Sequence, residues 1–172
     1  MEEKFRTLIR DIPDFPKKGI LFKDITPLLR NGSSFKNAVD EIVKFFSKKR
    51  IDVVACVEAR GFILGGAIAY QLGAGLVPIR KKGKLPYRTR RVTYALEYGE
   101  DTLEVHEDAI RPGEKVLVVD DLLATGGTSA AVLELVKSSG GDVIGIVFLI
   151  ELASLKGRER LKGHSVHSLI EF

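Results

Sequence analysis

The sequence predicts an α/β fold: a mostly parallel sheet flanked by helices, with an inserted hairpin. Three observations carry that prediction. Short, β-branched apolar runs recur at residues 52–57, 76–80, 115–119 and 143–149. Stretches with apolar residues at helical spacing lie between most of them, and strands buried on both faces read as continuous apolar runs. One pair of segments instead alternates apolar with polar residues, which is the pattern of a half-exposed hairpin.

Each element follows in order. Phe5, Leu8 and Ile9 suggest a short amphipathic helix. Residues 11–19 carry two prolines and a glycine and read as a loop. Ser33 or Ser34 is the expected cap of a helix whose apolar face is Phe35, Ala38, Val39, Ile42, Val43 and Phe46. A buried strand at 52–57 is followed by a helix at 62–72 that Gly73 closes, then a strand at 76–80. Residues 92–98 and 102–107 form the hairpin, expected to project from the sheet edge. A strand at 115–119, a helix at 128–138 ended by Gly140 and Gly141, and a strand at 143–149 complete the reading. Residues 164–172 carry no motif, and His106, His164 and His167 receive no role.

Composition narrows the class. The chain of 172 residues is 45% hydrophobic and 29% charged, with net charge +4, which suits one soluble domain with a core. The single Cys56 cannot pair internally and lies in an apolar strand, so it reads as a buried structural thiol in a reducing, cytoplasmic setting. No run approaches the ~18 apolar residues of a membrane span, and the first residues have no apolar signal core.

In open parallel sheets, ligands bind beyond the carboxyl ends of the strands. The strand at 115–119 runs into Asp120-Asp121-Leu122-Leu123-Ala124-Thr125-Gly126-Gly127-Thr128-Ser129. Paired glycines let the backbone turn tightly and aim several N–H groups at one point. The helix start adds its positive dipole end, and Thr125, Thr128 and Ser129 add hydroxyls. Together these suit a phosphate monoester. No lysine stands in the turn, so it is not a Walker A loop. Two carboxylates beside a phosphate repel it, but they accept from sugar hydroxyls and favour positive charge building on a sugar ring. Acid pair plus anion loop therefore points to a ribose 5-phosphate. A pair that merely caps the helix is the plainer alternative.

This stretch resembles the donor-binding motif of the type I phosphoribosyltransferases, and the rest of the chain, from Phe5 to Leu161, is similar to the adenine-specific branch of that family. The resemblance implies the type I phosphoribosyltransferase fold, with one domain over residues 1–172. Residues 1–34 would contribute an N-terminal hood to the base pocket, and residues 81–107 would form a basic loop and hairpin lid. It implies transfer of ribose 5-phosphate from phosphoribosyl pyrophosphate (PRPP) to adenine, with Asp120, Asp121, Ala124, Thr125, Gly126, Gly127 and Thr128 on the donor. Mg²⁺ is implied as a partner of the polyanionic donor, bound mainly through phosphates and water, and no protein ligand is assigned to it. A homodimer is implied too. Membrane and nucleic-acid partners are not expected.

The other strand ends extend the site. Glu58-Ala59-Arg60-Gly61 follows the strand at 52–57. Arg60 can hold a phosphate through paired N–H donors, or can simply cap a strand turn. By resemblance this loop takes pyrophosphate, with Ala59 and Arg60 as contacts and a cis peptide within residues 58–60. Seven of the twelve residues from Arg80 to Arg91 are Lys or Arg. Such a run is also a plausible solvated face or nucleic-acid patch. The family pattern matches Arg80, Lys81, Gly83, Lys84, Leu85 and Pro86, and carries over Arg80 and Lys84 as diphosphate contacts. Glu97 reads by pattern as a polar-face residue. The resemblance makes it the catalytic glutamate of a mobile loop, assisting proton transfer at the purine ring, with Tyr98 helping to seal the lid. Residues 14–29 would pass as loop and edge strand. By resemblance, Phe22 stacks on adenine while backbone groups of Leu21 and Lys23 bond its edge. Two rival readings remain: a 6-oxopurine transferase, and a donor-sensing regulator that binds nucleic acid.

Overall fold

The structure, a computed structural model, describes residues 2–95 and 99–172. Helix α1 (Glu2–Arg6) leads into strands β1 (Arg10–Pro13) and β2 (Leu21–Asp24), then helices α2 (Thr26–Arg30) and α3 (Gly32–Phe46). Strand β3 (Val53–Val57), helix α4 (Gly61–Leu72) and strand β4 (Gly75–Lys81) follow. The hairpin is β5 (Thr89–Ala95) and β6 (Glu100–His106). Strand β7 (Lys115–Leu123), helix α5 (Gly127–Ser138), strand β8 (Asp142–Glu151) and strand β9 (Val166–Glu171) complete the chain, with 3-10 turns at Ala153–Leu155 and Gly157–Leu161.

Seven strands form one sheet in the order β5-β6-β4-β3-β7-β8-β9. Strands β4, β3, β7, β8 and β9 run parallel, while β6 joins β4, and β5 joins β6, antiparallel. The predicted α/β architecture is therefore present. All five residues of β3 are buried, because helices cover both faces of the central sheet. The pleat splits the apolar run between two cores. Val54, Cys56, Leu117 and Val119 face α3 and α4. Val53, Ala55, Val57, Val116 and Val118 face α5. Cys56 is buried, and desolvation pushes its thiol up to about 12, as befits an inert structural cysteine. Gly65 lets α4 lie close to it, since a Cβ there would stand 2.6 Å from Cys56 Cβ.

The details depart from the sequence reading in five places. Residues 11–19 are not all loop. Arg10–Pro13 pairs antiparallel with Leu21–Asp24 in a separate two-stranded sheet, and the prolines confine irregular backbone to the connection. Helix α3 is capped by Asn31, whose side chain accepts from Ser34 N at 3.0 Å. The helix thus starts a turn earlier than Ser33 or Ser34 would set. Strand β7 continues through Leu123, so the acid pair lies within the strand, paired on one side with β8. The hairpin does not simply project from the edge: β5 folds back against α5. Residues 166–171 add the edge strand β9.

Candidate active site

Strand β7 and helix α5 build the anion loop. Gly126 holds a left-handed conformation at φ +81° as the N-cap of α5. The helical ladder begins with Ala130 N donating to Gly126 O at 3.0 Å, so the amides of Gly127, Thr128 and Ser129 precede it. A third glycine seals the turn from behind. Gly157 packs so closely that a Cβ on it would stand 2.2 Å from Ala124 O, and one on Gly126 would stand 2.5 Å from Gly157 O. Nothing larger than hydrogen fits at either place.

A cleft of ≈ 430 Å³ opens beside this loop. Ala59, Arg60, Asp120, Asp121, Ala124 and Thr128 are among the residues that line it, so the acid pair, the pyrophosphate-loop candidates and the anion loop share one cavity. Gly61 permits the approach of α4 to β7, because a Cβ there would meet Asp120 Oδ1 at 3.0 Å. Arg60 Nε lies 2.7 Å from Asp121 Oδ2. The contact is an ion pair and not an aligned hydrogen bond, for Asp121 Oδ2 is buried with no donor aimed at it. Burial, together with the charge of Asp121, pushes the Asp120 carboxyl well above the usual carboxylate range. Burial also raises Asp121, and Arg60 opposes that rise. The Glu58–Ala59 peptide is cis, within the segment where the resemblance places such a bond.

A basic arm stands at the cleft's edge. Arg80 Nε donates to Glu58 Oε2 at 2.8 Å, and its terminal nitrogen donates to Lys84 O at 3.0 Å. The Lys84 side chain is exposed, while Lys81 lines the cleft and pairs with Asp101 at 3.2 Å. Glu58 also accepts from Lys81 N at 2.7 Å. It thereby ties the loop after β3 to the start of the basic arm, a role with no signal in the sequence beyond its place at a strand end.

This cleft has counterparts in known proteins. The family model for the phosphoribosyl transferase domain matches residues 29–170. The chain belongs to the phosphoribosyltransferase family. It is 59% identical over 170 residues to an adenine phosphoribosyltransferase of Syntrophotalea carbinolica, covering 99% of each chain. Its fold matches the crystal structure of an adenine phosphoribosyltransferase from Thermoanaerobacter pseudethanolicus with TM-score 0.97 and 50% identity, over the whole of both chains. It also matches a Giardia lamblia adenine phosphoribosyltransferase solved with 9-deazaadenine, with TM-score 0.94 and 39% identity, covering 99% of this chain and 97% of that one.

In this phosphoribosyltransferase the β1–β2 sheet approaches the cleft at Arg60, whose guanidinium lies 4.8 Å from the Phe22 ring centroid, but Leu21, Phe22 and Lys23 are not among the residues that line the cleft. Phe15 meets Phe22 edge-on at 5.1 Å. Leu21 is exposed, and the Lys23 side chain turns away from the cleft. Its Nζ donates to Asp11 Oδ1 at 2.7 Å and lies 3.8 Å from the Phe172 ring centroid. Glu97 and Tyr98 lie outside the described residues. The hairpin itself bears on the site through Tyr94, which lines the cleft and whose hydroxyl lies 3.2 Å from Thr128 Oγ1. Sequence reasoning passed over Tyr94, although its inward place in the hairpin alternation was a usable signal. No group of three or more His, Cys, Asp or Glu that could hold a metal occurs among the described residues, and no helix among them is long and apolar enough to cross a membrane.

Proposed function

We propose that this phosphoribosyltransferase converts adenine and PRPP to AMP and pyrophosphate. One observation carries the reading: the Asp120–Asp121 pair runs directly into the glycine turn of α5, with Arg60 facing the pair across the same cleft. Residues 124–128 hold the 5-phosphate. Asp120 and Asp121, which both line the cleft, accept from the ribose hydroxyls. Ala59, Arg60, Arg80 and Lys84 address the pyrophosphate. The bond from C1 of the sugar to pyrophosphate breaks, N9 of adenine bonds to C1, and the N9 proton leaves. The acid pair stabilises the positive charge that passes through the ring. Glu97 is the group proposed to assist the proton. Phe22 stacks on the base, while backbone groups of Leu21 and Lys23 distinguish a 6-amino from a 6-oxo purine by donor and acceptor matching.

Mg²⁺ belongs to the same reading. When bound it would neutralise charge on the pyrophosphate, arriving on the phosphates and keeping most of its waters. A homodimer is part of the proposal as well. Ile63 and Tyr70 lie seven residues apart on α4 and leave an apolar face open, with Tyr70 90% exposed. A cytoplasmic location completes it.

The test is pyrophosphate release from PRPP and Mg²⁺ with adenine, hypoxanthine or guanine. Release with adenine alone is expected. Release with a 6-oxopurine would overturn the base assignment. Donor binding without release from any base would favour the regulator.

A further inference from the structure

We propose that Tyr94 is a positioning residue for the 5-phosphate: its hydroxyl donates to Thr128 Oγ1 and turns the Thr128 hydroxyl proton toward the phosphate. The inference rests on the reading that residues 124–128 take that phosphate. Strand β5 alternates, with Val92 and Tyr94 turned inward and Arg91, Thr93 and Ala95 exposed. The Tyr94 ring lies over the start of α5, so close that a Cβ on Gly127 would stand 3.7 Å from its edge. The phenol end emerges into the cleft that Asp120, Ala124 and Thr128 line, 3.2 Å from Thr128 Oγ1. Packing alone would be served by phenylalanine, so the hydroxyl needs its own explanation.

Hydroxyl chemistry supplies one. Thr128 has one proton to donate and two lone pairs. When Tyr94 donates to one lone pair, the Thr128 proton is left for a phosphate oxygen, and the chain Tyr94 to Thr128 to phosphate has one direction. Burial raises the Tyr94 phenol above its ordinary value, so it stays a neutral donor beside an anion. The hairpin then acts on the phosphate through Thr128. Phosphate binding and hairpin docking favour each other by the same factor, because linkage is reciprocal.

The experiment compares Tyr94→Phe with the unaltered enzyme by calorimetry, using three probes: ribose 5-phosphate, AMP and magnesium pyrophosphate. The two phosphate monoesters should bind about fivefold to tenfold more weakly to the variant, the scale of one neutral hydrogen bond. Magnesium pyrophosphate, which addresses the other end of the cleft, should bind unchanged. Tyr94→Phe should add nothing further to Thr128→Val, because the route through Thr128 is already cut. Thr128→Ser should keep the sensitivity to Tyr94→Phe. Equal weakening of all three probes would show a merely structural tyrosine and overturn the inference, as would no weakening of any. Additive losses in Tyr94→Phe with Thr128→Val would overturn the route through Thr128. Failure of the unaltered enzyme to bind ribose 5-phosphate or AMP would instead sink the assignment of the phosphate loop.

Discussion

The two ends proposed for the site, one for the 5-phosphate and one for the base, are built by different means. At the phosphate end the geometry is backbone geometry. Residues 124–128 continue a strand of the main sheet directly into α5, and Gly157 closes the turn from behind. At the base end the β1–β2 hood is a separate sheet, joined to the body largely through side chains. Lys23 pairs with Asp11 inside this sheet, and the sheet meets the body where Lys23 reaches the ring of Phe172 and Arg60 lies over Phe22. A phosphate monoester is a fixed tetrahedral anion, and a rigid ring of amides suits it. A flat base entering beneath a hood suits a lighter attachment. Changes at the phosphate end should therefore damage everything, whereas changes at the base end should damage one substrate.

The largest expected effect is Gly157→Ala. The new methyl would stand 2.2 Å from Ala124 O, so the loop must shift. A displacement of that order near reacting groups costs on the order of 100-fold in rate. Steady-state kinetics should show kcat/KM falling for donor and base alike, with a lowered Tm. Unchanged kinetics would mean that the loop is not the rigid element described.

Phe22→Ala should be the sharpest contrast. Loss of a base-stacking partner costs about 1–3 kcal/mol, so the KM for adenine should rise several-fold to roughly 100-fold while the KM for PRPP stays constant. An equal rise in both would erase the distinction between the two ends.

The acid pair lies between them, and pH addresses it. Asp120 and Asp121 hold their protons above the ordinary carboxylate range. A group whose folded-state pKa is raised binds its proton more tightly when folded. Its contribution to stability is therefore greatest at low pH and declines as pH rises through the raised value. Donor affinity should move the opposite way, rising with pH as the carboxylates become acceptors, by at most about tenfold per pH unit for one group. Glu151, Asp24 and Asp52 are shifted down and favour folding at higher pH. The difference in Tm and in donor KM between the unaltered enzyme and Asp120→Asn isolates the pair. Parallel pH profiles for the two proteins would refute it.

What was legible in the sequence follows the same division. The anion loop and the buried strands announce themselves, because glycine pairs, adjacent acids and β-branched runs are local signals of local geometry. The hood and its support do not. Lys23 looks like a strand residue, and nothing in its neighbourhood foretells a contact with Phe172, 149 positions away in the numbering. Strand β9 is a half-buried edge strand, so its alternation is blurred and the segment looks featureless. Asn31 was missed as a cap because two serines follow it. Strand β7 was cut short at Val119 since carboxylates seldom sit in buried strands; here the end of a strand is where the ligand is met.

That blind spot yields the smallest and most selective prediction. Lys23 and Arg6 both approach the ring of Phe172, at 3.8 Å and 4.7 Å from its centroid. Lys23 in turn follows Phe22 directly in β2. Phe172→Ala should loosen the hood without touching the donor. A cation–π contact of this kind is worth about 0.5–2 kcal/mol, so the KM for adenine should rise roughly twofold to thirtyfold, and Phe172→Tyr should restore it. The KM for PRPP should not move. If both constants rise together, Phe172 supports the whole fold through α1 and β9, and the base end is less separate than its two-stranded sheet suggests. If neither moves, Phe172 is not what holds the hood, and the contrast between the two ends narrows to Arg60 and Phe22.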